Sequence, residues 1–148
     1  MSSPPFDATI DLAPRPSLRA LTWLFWIHAA ALGAALAALP SGAAMVALAA
    51  GIALSWLWTR RHPVFGHGPR ALTRLTWHAD GSWRVGDSSG AHFDAELLGS
   101  SLVHDVLLVL NFGLKAGGRR SRALLGDELD EEPLRRLRAR LMLLRAAR

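Results

Sequence analysis

Side chains that could do acid, base or metal chemistry are scattered along this sequence. It has 148 residues and no cysteine, which excludes disulfides, thiolate catalysis and cysteine-bound metals. His104-Asp105 is a neighbouring acid–base pair, but in its apolar surroundings a strand start or a bulge is the simpler role. His62 and His67 have no acid beside them and make a poor metal site. We therefore predict no catalytic residue, no metal site and no cofactor.

Phosphate-binding and cation-binding patterns are equally weak. Gly117-Gly118 precedes arginines in a predicted β-hairpin, whereas a phosphate loop needs glycines that lead into a helix. An acidic run at residues 127–132 precedes a predicted helix, and capping of that helix explains it. A membrane enzyme would need an acid, base or nucleophile cluster, so we expect a protein that is not an enzyme.

His28 is the only ionisable side chain in residues 20–59, which contain no Asp, Glu, Lys or Arg. Ionisable groups inside a membrane are costly and commonly functional, so His28 is a candidate partner-binding residue. The simpler alternative is a neutral imidazole that makes one hydrogen bond between helices.

The uncharged block around His28 is long enough for two membrane spans, since one span needs about 20 residues. Pro40-Ser41-Gly42 interrupts the block and predicts spans over 18–39 and 43–58, within a transmembrane hairpin at 18–59. Tryptophans near the start of the first span and the end of the second form an aromatic belt. Arginines flank the block and are absent from the turn, so we predict a two-pass protein with both termini in the cytoplasm.

Two alternatives compete with a transmembrane hairpin. The first is a cleaved signal peptide, but its apolar stretch is usually shorter than the one at 18–39, and a second apolar stretch does not usually follow it at once. A buried hairpin of a soluble protein has polar faces, which these segments lack. The second span is rich in small residues, which allow close helix packing in lipid. It packs on the first span, or it binds a partner helix or a second copy of the chain.

After a Gly/Pro linker at 60–71, the periodicity becomes that of β-strands. A hairpin over 72–85 turns at Asp80-Gly81, and strands over 91–98 and 119–125 flank an apolar run at 102–114. That run predicts a central strand buried on both faces. The N-terminal segment 1–17 adds a possible edge strand. The predicted fold class is an α+β membrane protein: a two-helix transmembrane hairpin, then a small antiparallel β-sheet domain of about five strands with a C-terminal amphipathic helix, the domain covering 72–148.

The C-terminal helix carries both an apolar and a basic face. Asp130 is its predicted N-cap, and its apolar face is predicted to pack on the sheet through Leu134, Leu137, Leu141 and Leu144. The charges of residues 1–19 cancel, so the net charge of +5 lies in residues 60–148. Guanidinium groups bind carboxylates and lipid headgroups. The candidates for binding partners or membrane lipids are therefore Arg119, Arg120, Arg122, Arg135, Arg136 and Arg138. No nucleic acid is predicted, because no recognised binding motif accompanies them.

Three stretches, in this order, resemble the YgfX family of bacterial inner-membrane proteins, also called the CptA toxin family. Residues 10–17 lead with Ser17 into a first span that carries His28. Residues 75–83 resemble the strand–turn–strand with a tryptophan, and residues 118–138 resemble the Gly-Arg hairpin, acidic cap and Leu-Arg-Arg-Leu-Arg helix. The resemblance covers nearly the full chain. Pro133 is a departure, since many relatives have a freer helix start.

This resemblance implies the toxin of a toxin–antitoxin pair, located in the bacterial inner membrane. It further implies that the cytoplasmic domain restrains the cytoskeletal polymers FtsZ and MreB and thereby regulates cell division. The implied antitoxin is a small protein like the flavinylation factor of succinate dehydrogenase. The alternative that the residues leave open is an accessory or assembly subunit of a respiratory membrane complex, which the small-residue second span and His28 favour.

Overall fold

The structure is a computed structural model that describes residues 9–38, 40 and 42–146, with side chains as far as residue 144. The predicted N-terminal segment 1–17 thus lies partly outside the described residues. A short 3₁₀ turn at Pro63–Phe65 follows the second helix. The helices and strands, in chain order, are β1 Ile10–Leu12, α1 Leu18–Ala38, α2 Ala43–Thr59, β2 Leu72–Trp77, β3 Trp83–Asp87, β4 His92–Leu97, β5 Leu102–Val103, β6 Leu108–Leu114, β7 Arg119–Leu124 and α3 Glu131–Ala146.

Helices α1 and α2 pack on each other as an antiparallel pair. The rings of Phe25 and Trp56 meet edge to face with centroids 5.9 Å apart. Outside this contact both helices are largely exposed: α1 buries only Ala20 and Ala35, and no residue of α2 is buried. Among the described helices α1 is long and apolar enough to cross a membrane, whereas α2 is apolar but has 17 residues. Exposed apolar surface on all sides is typical of helices in lipid rather than in a soluble core.

The β-strands form one antiparallel sheet in the order β1-β2-β3-β4-β6, with β5 and β7 also paired to β6. Strand β1 precedes the helical pair and β2 follows it, yet they are neighbours, with Ile10 opposite Trp77. The predicted edge strand and the predicted hairpin over 72–85 are therefore confirmed. The helical pair is an insertion between two adjacent strands, so both of its ends meet the sheet domain.

The apolar run at 102–114 was predicted as one strand buried on both faces, and this prediction is wrong. It forms two strands, and the chain reverses at 104–107, where the His104 N–H donates to the Leu107 carbonyl. In β6 only alternate residues are fully buried: Leu108, Leu110 and Phe112. The reason is that α3 covers one face of the sheet and leaves the other open. With β1 and β5, the described sheet has seven strands rather than about five.

Helix α3 closes the core against the concave face of the sheet. Leu134, Leu137 and Leu141 are buried there, as predicted, and each contributes about 1.5–3 kcal/mol by leaving water. Leu144 was predicted on the same face, but it is exposed near the C-terminal end of α3, so this part of the prediction is wrong. The guanidinium of Arg140 lies 4.2 Å from the centre of the Trp77 ring. This cation–π contact attaches α3 to the C-terminal end of β2.

Candidate functional site

The first turn of α1 is bound by the loop at 125–130, and we call this junction the clamp. The Ser17 side chain is fully buried. Its Oγ accepts a hydrogen bond from the Ala20 N–H at 3.0 Å and donates one to the Asp127 carboxylate at 2.8 Å. The other Asp127 oxygen accepts from the Arg19 N–H at 2.8 Å. Asp127 thus caps a helix that lies more than a hundred residues earlier in the chain, and it joins the helical pair to the sheet domain.

Electrostatics favour the charged form of Asp127. Partial burial is the largest single influence and opposes the charge, but hydrogen bonds, led by those from the Arg19 N–H and the Ser17 hydroxyl, together outweigh it. The pKa of Asp127 is therefore lowered from its usual value. A carboxylate at a helix N-terminus also complements the helix dipole, so the cap is stronger when Asp127 is ionised.

A second set of contacts lies immediately before α1. The Arg15 N–H donates to the Glu128 carbonyl at 2.9 Å, and the Arg15 guanidinium pairs with Asp130 at 2.7 Å. Asp130 precedes α3 as predicted, and its backbone carbonyl accepts from the Leu134 N–H at 3.2 Å. Both side chains of the Arg15–Asp130 pair are exposed, so this pair contributes little beside the buried bonds of Ser17.

Arg122 lies beneath the clamp and differs from the other candidate arginines. Its side chain is fully buried, so a lipid or a protein partner cannot reach it, contrary to the expectation of a surface contact. Its guanidinium donates to the Arg15 carbonyl and lies against Gly66, where an added Cβ would come within 2.0 Å of it. Burial lowers the pKa of Arg122, while the charges of Glu128 and Asp127 oppose that effect. Arg122 therefore has a structural role, connecting β7 to the residues on both sides of the helical pair.

His28 bridges the two helices. Its Nδ1 lies 2.7 Å from the Leu24 carbonyl oxygen, and its Nε2 lies 3.2 Å from the Ser55 hydroxyl. A carbonyl oxygen only accepts, so Nδ1 carries the hydrogen, and a neutral ring accepts the Ser55 hydroxyl at Nε2. This is the arrangement of the simpler alternative, one hydrogen bond between helices. A partner-binding role for His28 stays a prediction.

The remaining candidate arginines do not converge on one point. Arg119 is exposed and Arg120 half-buried on β7. Arg135 and Arg136 both pair with Glu132, at 2.7 and 2.8 Å, on the exposed side of α3. Arg138 is half-buried. Whether these residues bind partners or lipids stays a prediction.

The structure brings other polar residues together around strand β1. On one side of β1 a groove separates it from α3 and is lined by Leu12, Glu132, Arg135, Arg136 and Arg140, among others. On the other side of β1, the outer face of the sheet forms a shallow polar depression. Thr9 and Asp11 line both the groove and this depression. We call the two together the β1 surface.

Cross-strand pairs organise the outer half of the β1 surface. Thr76 donates to Asp11 at 2.9 Å, and Arg84 pairs with Asp94 at 3.2 Å, so four strands contribute to one row. His92 lies in the next row beside Gly86, where an added Cβ would meet its ring at 2.9 Å. Sequence reasoning missed these residues. The period-two alternation of polar residues in β2, β3 and β4 is the signal that could have found them.

Groups of three or more His, Cys, Asp or Glu that could hold a metal ion are absent from the described residues. The structure thus defines a class of protein: an apolar helical pair clamped to a small sheet domain with a mixed-charge, predominantly basic surface. The chain belongs to the CptA toxin family, the membrane-bound toxin component of a toxin–antitoxin system, whose family model matches residues 8–145. No curated protein and no solved structure matches it.

Proposed function

We propose that this toxin is a two-pass inner-membrane protein without enzymatic activity, which restrains cytoskeletal polymers by binding them with its cytoplasmic domain. FtsZ and MreB are the targets that the family resemblance implies. Both termini and the sheet domain are cytoplasmic, and an antitoxin relieves the restraint by binding the same domain.

The clamp is the observation that carries this proposal. The hydrogen bonds of Ser17 and Asp127 hold the domain at the base of the helical pair, so the domain cannot turn freely on its linker. An enzyme acting on a diffusing substrate has no need of this constraint. A regulator that must present one surface to polymers lying along the membrane does.

Orientation of the helical pair follows from its polar ends. Arg15 and Arg19 precede α1, Arg60 and Arg61 follow α2, and the described residues of the turn contain no charge. The tryptophans Trp23, Trp26 and Trp58 are exposed near these same ends. A 17-residue α2 reaches about 26 Å, close to the ~30 Å core, and flanking arginines can reach the headgroups.

The β1 surface is the part of the domain that we propose for protein binding. It combines paired charges with an edge strand, and edge strands accept further strands from partners. Replacing Arg135 and Arg136 by serine removes two cations from its groove. Arg70→Ser, at an exposed linker position, removes one cation elsewhere and is the control.

Expression of the full chain in bacterial cells tests the proposed function. We expect altered cell shape or division, and co-purification of FtsZ or MreB with the protein solubilised in mild detergent. The serine variant should weaken both effects, while Arg70→Ser should keep them. Normal morphology together with no co-purified polymer protein would overturn the proposal.

Small residues on the helical pair favour a second candidate, an accessory subunit of a membrane complex. An added Cβ at Gly33 or Gly51 would meet nothing within 4 Å, so both glycines face outward, where a partner helix could approach closely. Native gels of solubilised membranes test this candidate. Migration as part of a larger complex supports it, and migration as the single protein counts against it.

A further inference from the structure

The C-terminal end of α2 forms one wall of a groove. The 3₁₀ turn at Pro63–Phe65 begins three residues after the helix ends and contributes to the other wall. The residues that line the groove are Leu54, Leu57, Trp58, Arg61, His62 and Pro63. We call it the α2 groove. It has an apolar part on the helix and a polar part where the chain leaves the helix.

One face of α2 supplies most of this lining. Residues 54, 57, 58 and 61 recur at spacings of three and four, so they lie on the same side of a helix. The Arg61 N–H donates to the Trp58 carbonyl at 3.2 Å, so the helical path continues as far as Arg61. Packing in the helical pair does not use this face: Trp58 is 72 % exposed, whereas Trp56 contacts α1.

Polarity changes along this face in the order in which it changes across a leaflet. At about 1.5 Å of rise per residue, Arg61 lies about 10 Å from Leu54 along the helix axis. The leucines are at the level of acyl chains, Trp58 is at the level of the aromatic belt, and Arg61 reaches the headgroups. In the described part of the chain the Arg61 guanidinium has no acidic partner, so its charge is available to a ligand.

His62 supplies a second donor to the α2 groove. Its Nδ1 accepts a hydrogen bond from the Val64 N–H at 3.4 Å, so a neutral ring carries its hydrogen on Nε2 and can donate from there. The ring is held between two aromatic side chains, with centroids 5.4 Å from Trp58 and 6.3 Å from Phe65. These contacts fix the imidazole at the polar end of the groove.

We infer that the α2 groove is a binding site for one anionic phospholipid of the leaflet at which α2 ends. The lipid phosphate accepts hydrogen bonds from Arg61 and from the Nε2–H of His62, and an acyl chain lies along Leu54 and Leu57. The described residues that line the groove include a cation and no Asp or Glu, so an anionic headgroup is favoured over a zwitterionic one. This inference rests on the proposed placement of α2 across the membrane.

Bound lipid would act on the attachment of the sheet domain as well as on α2. The Phe65 carbonyl accepts a hydrogen bond from the Ser17 N–H at 3.2 Å, and Ser17 is the central residue of the clamp. A phospholipid that holds His62 and Phe65 in place therefore supports the clamp from the side of α2. The anionic lipid content of the membrane would then influence how firmly the domain is held.

Native mass spectrometry of the full chain, purified in mild detergent, tests this inference. The protein is titrated with phosphatidylglycerol, or with phosphatidylcholine that has the same acyl chains. At equal concentration, the fraction of protein that retains one lipid should be several-fold higher with phosphatidylglycerol. Arg61→Gln should remove this preference. Arg70→Gln removes an exposed cation from the linker, outside the groove, and should keep the preference. Glycerophosphoglycerol, the headgroup without acyl chains, should not displace the lipid at equal concentration.

Equal retention of the two lipids, or equal loss of the preference in both variants, would overturn the inference. Displacement by glycerophosphoglycerol would make the groove a site for soluble phosphate esters and also overturn it. A dimer that carries no lipid would make the groove an interface between copies, with the same result.

Failure of the proposed topology is measured separately, by labelling Gly42→Cys and Ala79→Cys in spheroplasts, which does not depend on lipid binding. The predicted labelling without a lipid preference would overturn the inference alone. Labelling that contradicts the hairpin would overturn the topology and the inference together.

Discussion

The clamp and the core of the sheet domain stabilise this protein in opposite ways. The core beneath α3 is apolar, with Leu137 and Phe112 fully buried, and its attraction has no preferred direction. The clamp is polar, and each of its bonds at Ser17 and Asp127 requires one orientation of donor and acceptor. The core therefore decides whether the domain folds, whereas the clamp decides how the folded domain is held relative to the helical pair. Damage to one should leave the function of the other largely intact.

Truncating the core should produce the largest effect on stability. Leu137→Ala removes a fully buried side chain and leaves a cavity, so the free energy of unfolding should fall by about 2–5 kcal/mol. Denaturant unfolding of the full chain in detergent, followed by tryptophan fluorescence, measures this. Leu143→Ala on the exposed side of α3 is the matched control and should change stability little. Equal losses in both variants would contradict the assignment of the core.

Removing the clamp should cost less stability but release the domain. Asp127→Ala deletes the cap of α1, worth about 0.5–2 kcal/mol, and should speed amide hydrogen exchange at Arg19 and Ala20. Arg15→Ala, beside the clamp, removes only the exposed side-chain ion pair with Asp130 and is the control. Fast exchange in both variants, or in neither, would contradict the distinction between the capping bonds of Asp127 and the exposed ion pair.

The clamp should also weaken in acid, while the apolar core should not. The folded pKa of Asp127 lies below its unfolded value, so its contribution is complete above the unfolded value of 3.8 and is lost as pH falls through the lower, folded value. The stability difference between the native chain and Asp127→Asn should therefore shrink as pH is lowered from about 6 to about 3. A difference that stays constant over this range would show that Asp127 does not titrate in the clamp.

Within the helical pair, the bond between His28 and Ser55 should have the smallest effect. Interhelical hydrogen bonds in membranes contribute about 0.6 kcal/mol on average. A double-mutant cycle with His28→Ala and Ser55→Ala, measured by unfolding in mixed detergent micelles, isolates this energy. Zero coupling would mean that His28 does not serve α1–α2 packing and would return it to the partner-binding candidates.

Local patterns predicted much of this fold because neighbouring residues carried the information. The period-two pattern and the Asp80-Gly81 turn define β2 and β3, and the leucine spacing of α3 selects its buried face. The run at 102–114 misled because its apolar majority outweighed the polar pair His104-Asp105, at which the hairpin turns.

The clamp could not be predicted, since its partners lie far apart in the chain. In the sequence Ser17 only leads into the first span, and residues 127–132 indicate the cap of α3 alone. Only the return of β7 to the start of α1 brings the two together. Arg122 was misplaced for the same reason: its alternation within β7 indicates a face, but the covering of that face by Gly66 depends on the tertiary fold.

Single-cysteine labelling of intact spheroplasts tests most directly whether the domain is held on the cytoplasmic side of a two-pass hairpin. Gly42→Cys marks the start of α2 at the hairpin turn, and Ala79→Cys marks the sheet domain; both positions are exposed. A membrane-impermeant maleimide should label Gly42→Cys in intact spheroplasts and label Ala79→Cys only after the membrane is permeabilised. Labelling of Ala79→Cys from outside, or protection of Gly42→Cys until permeabilisation, would contradict the account.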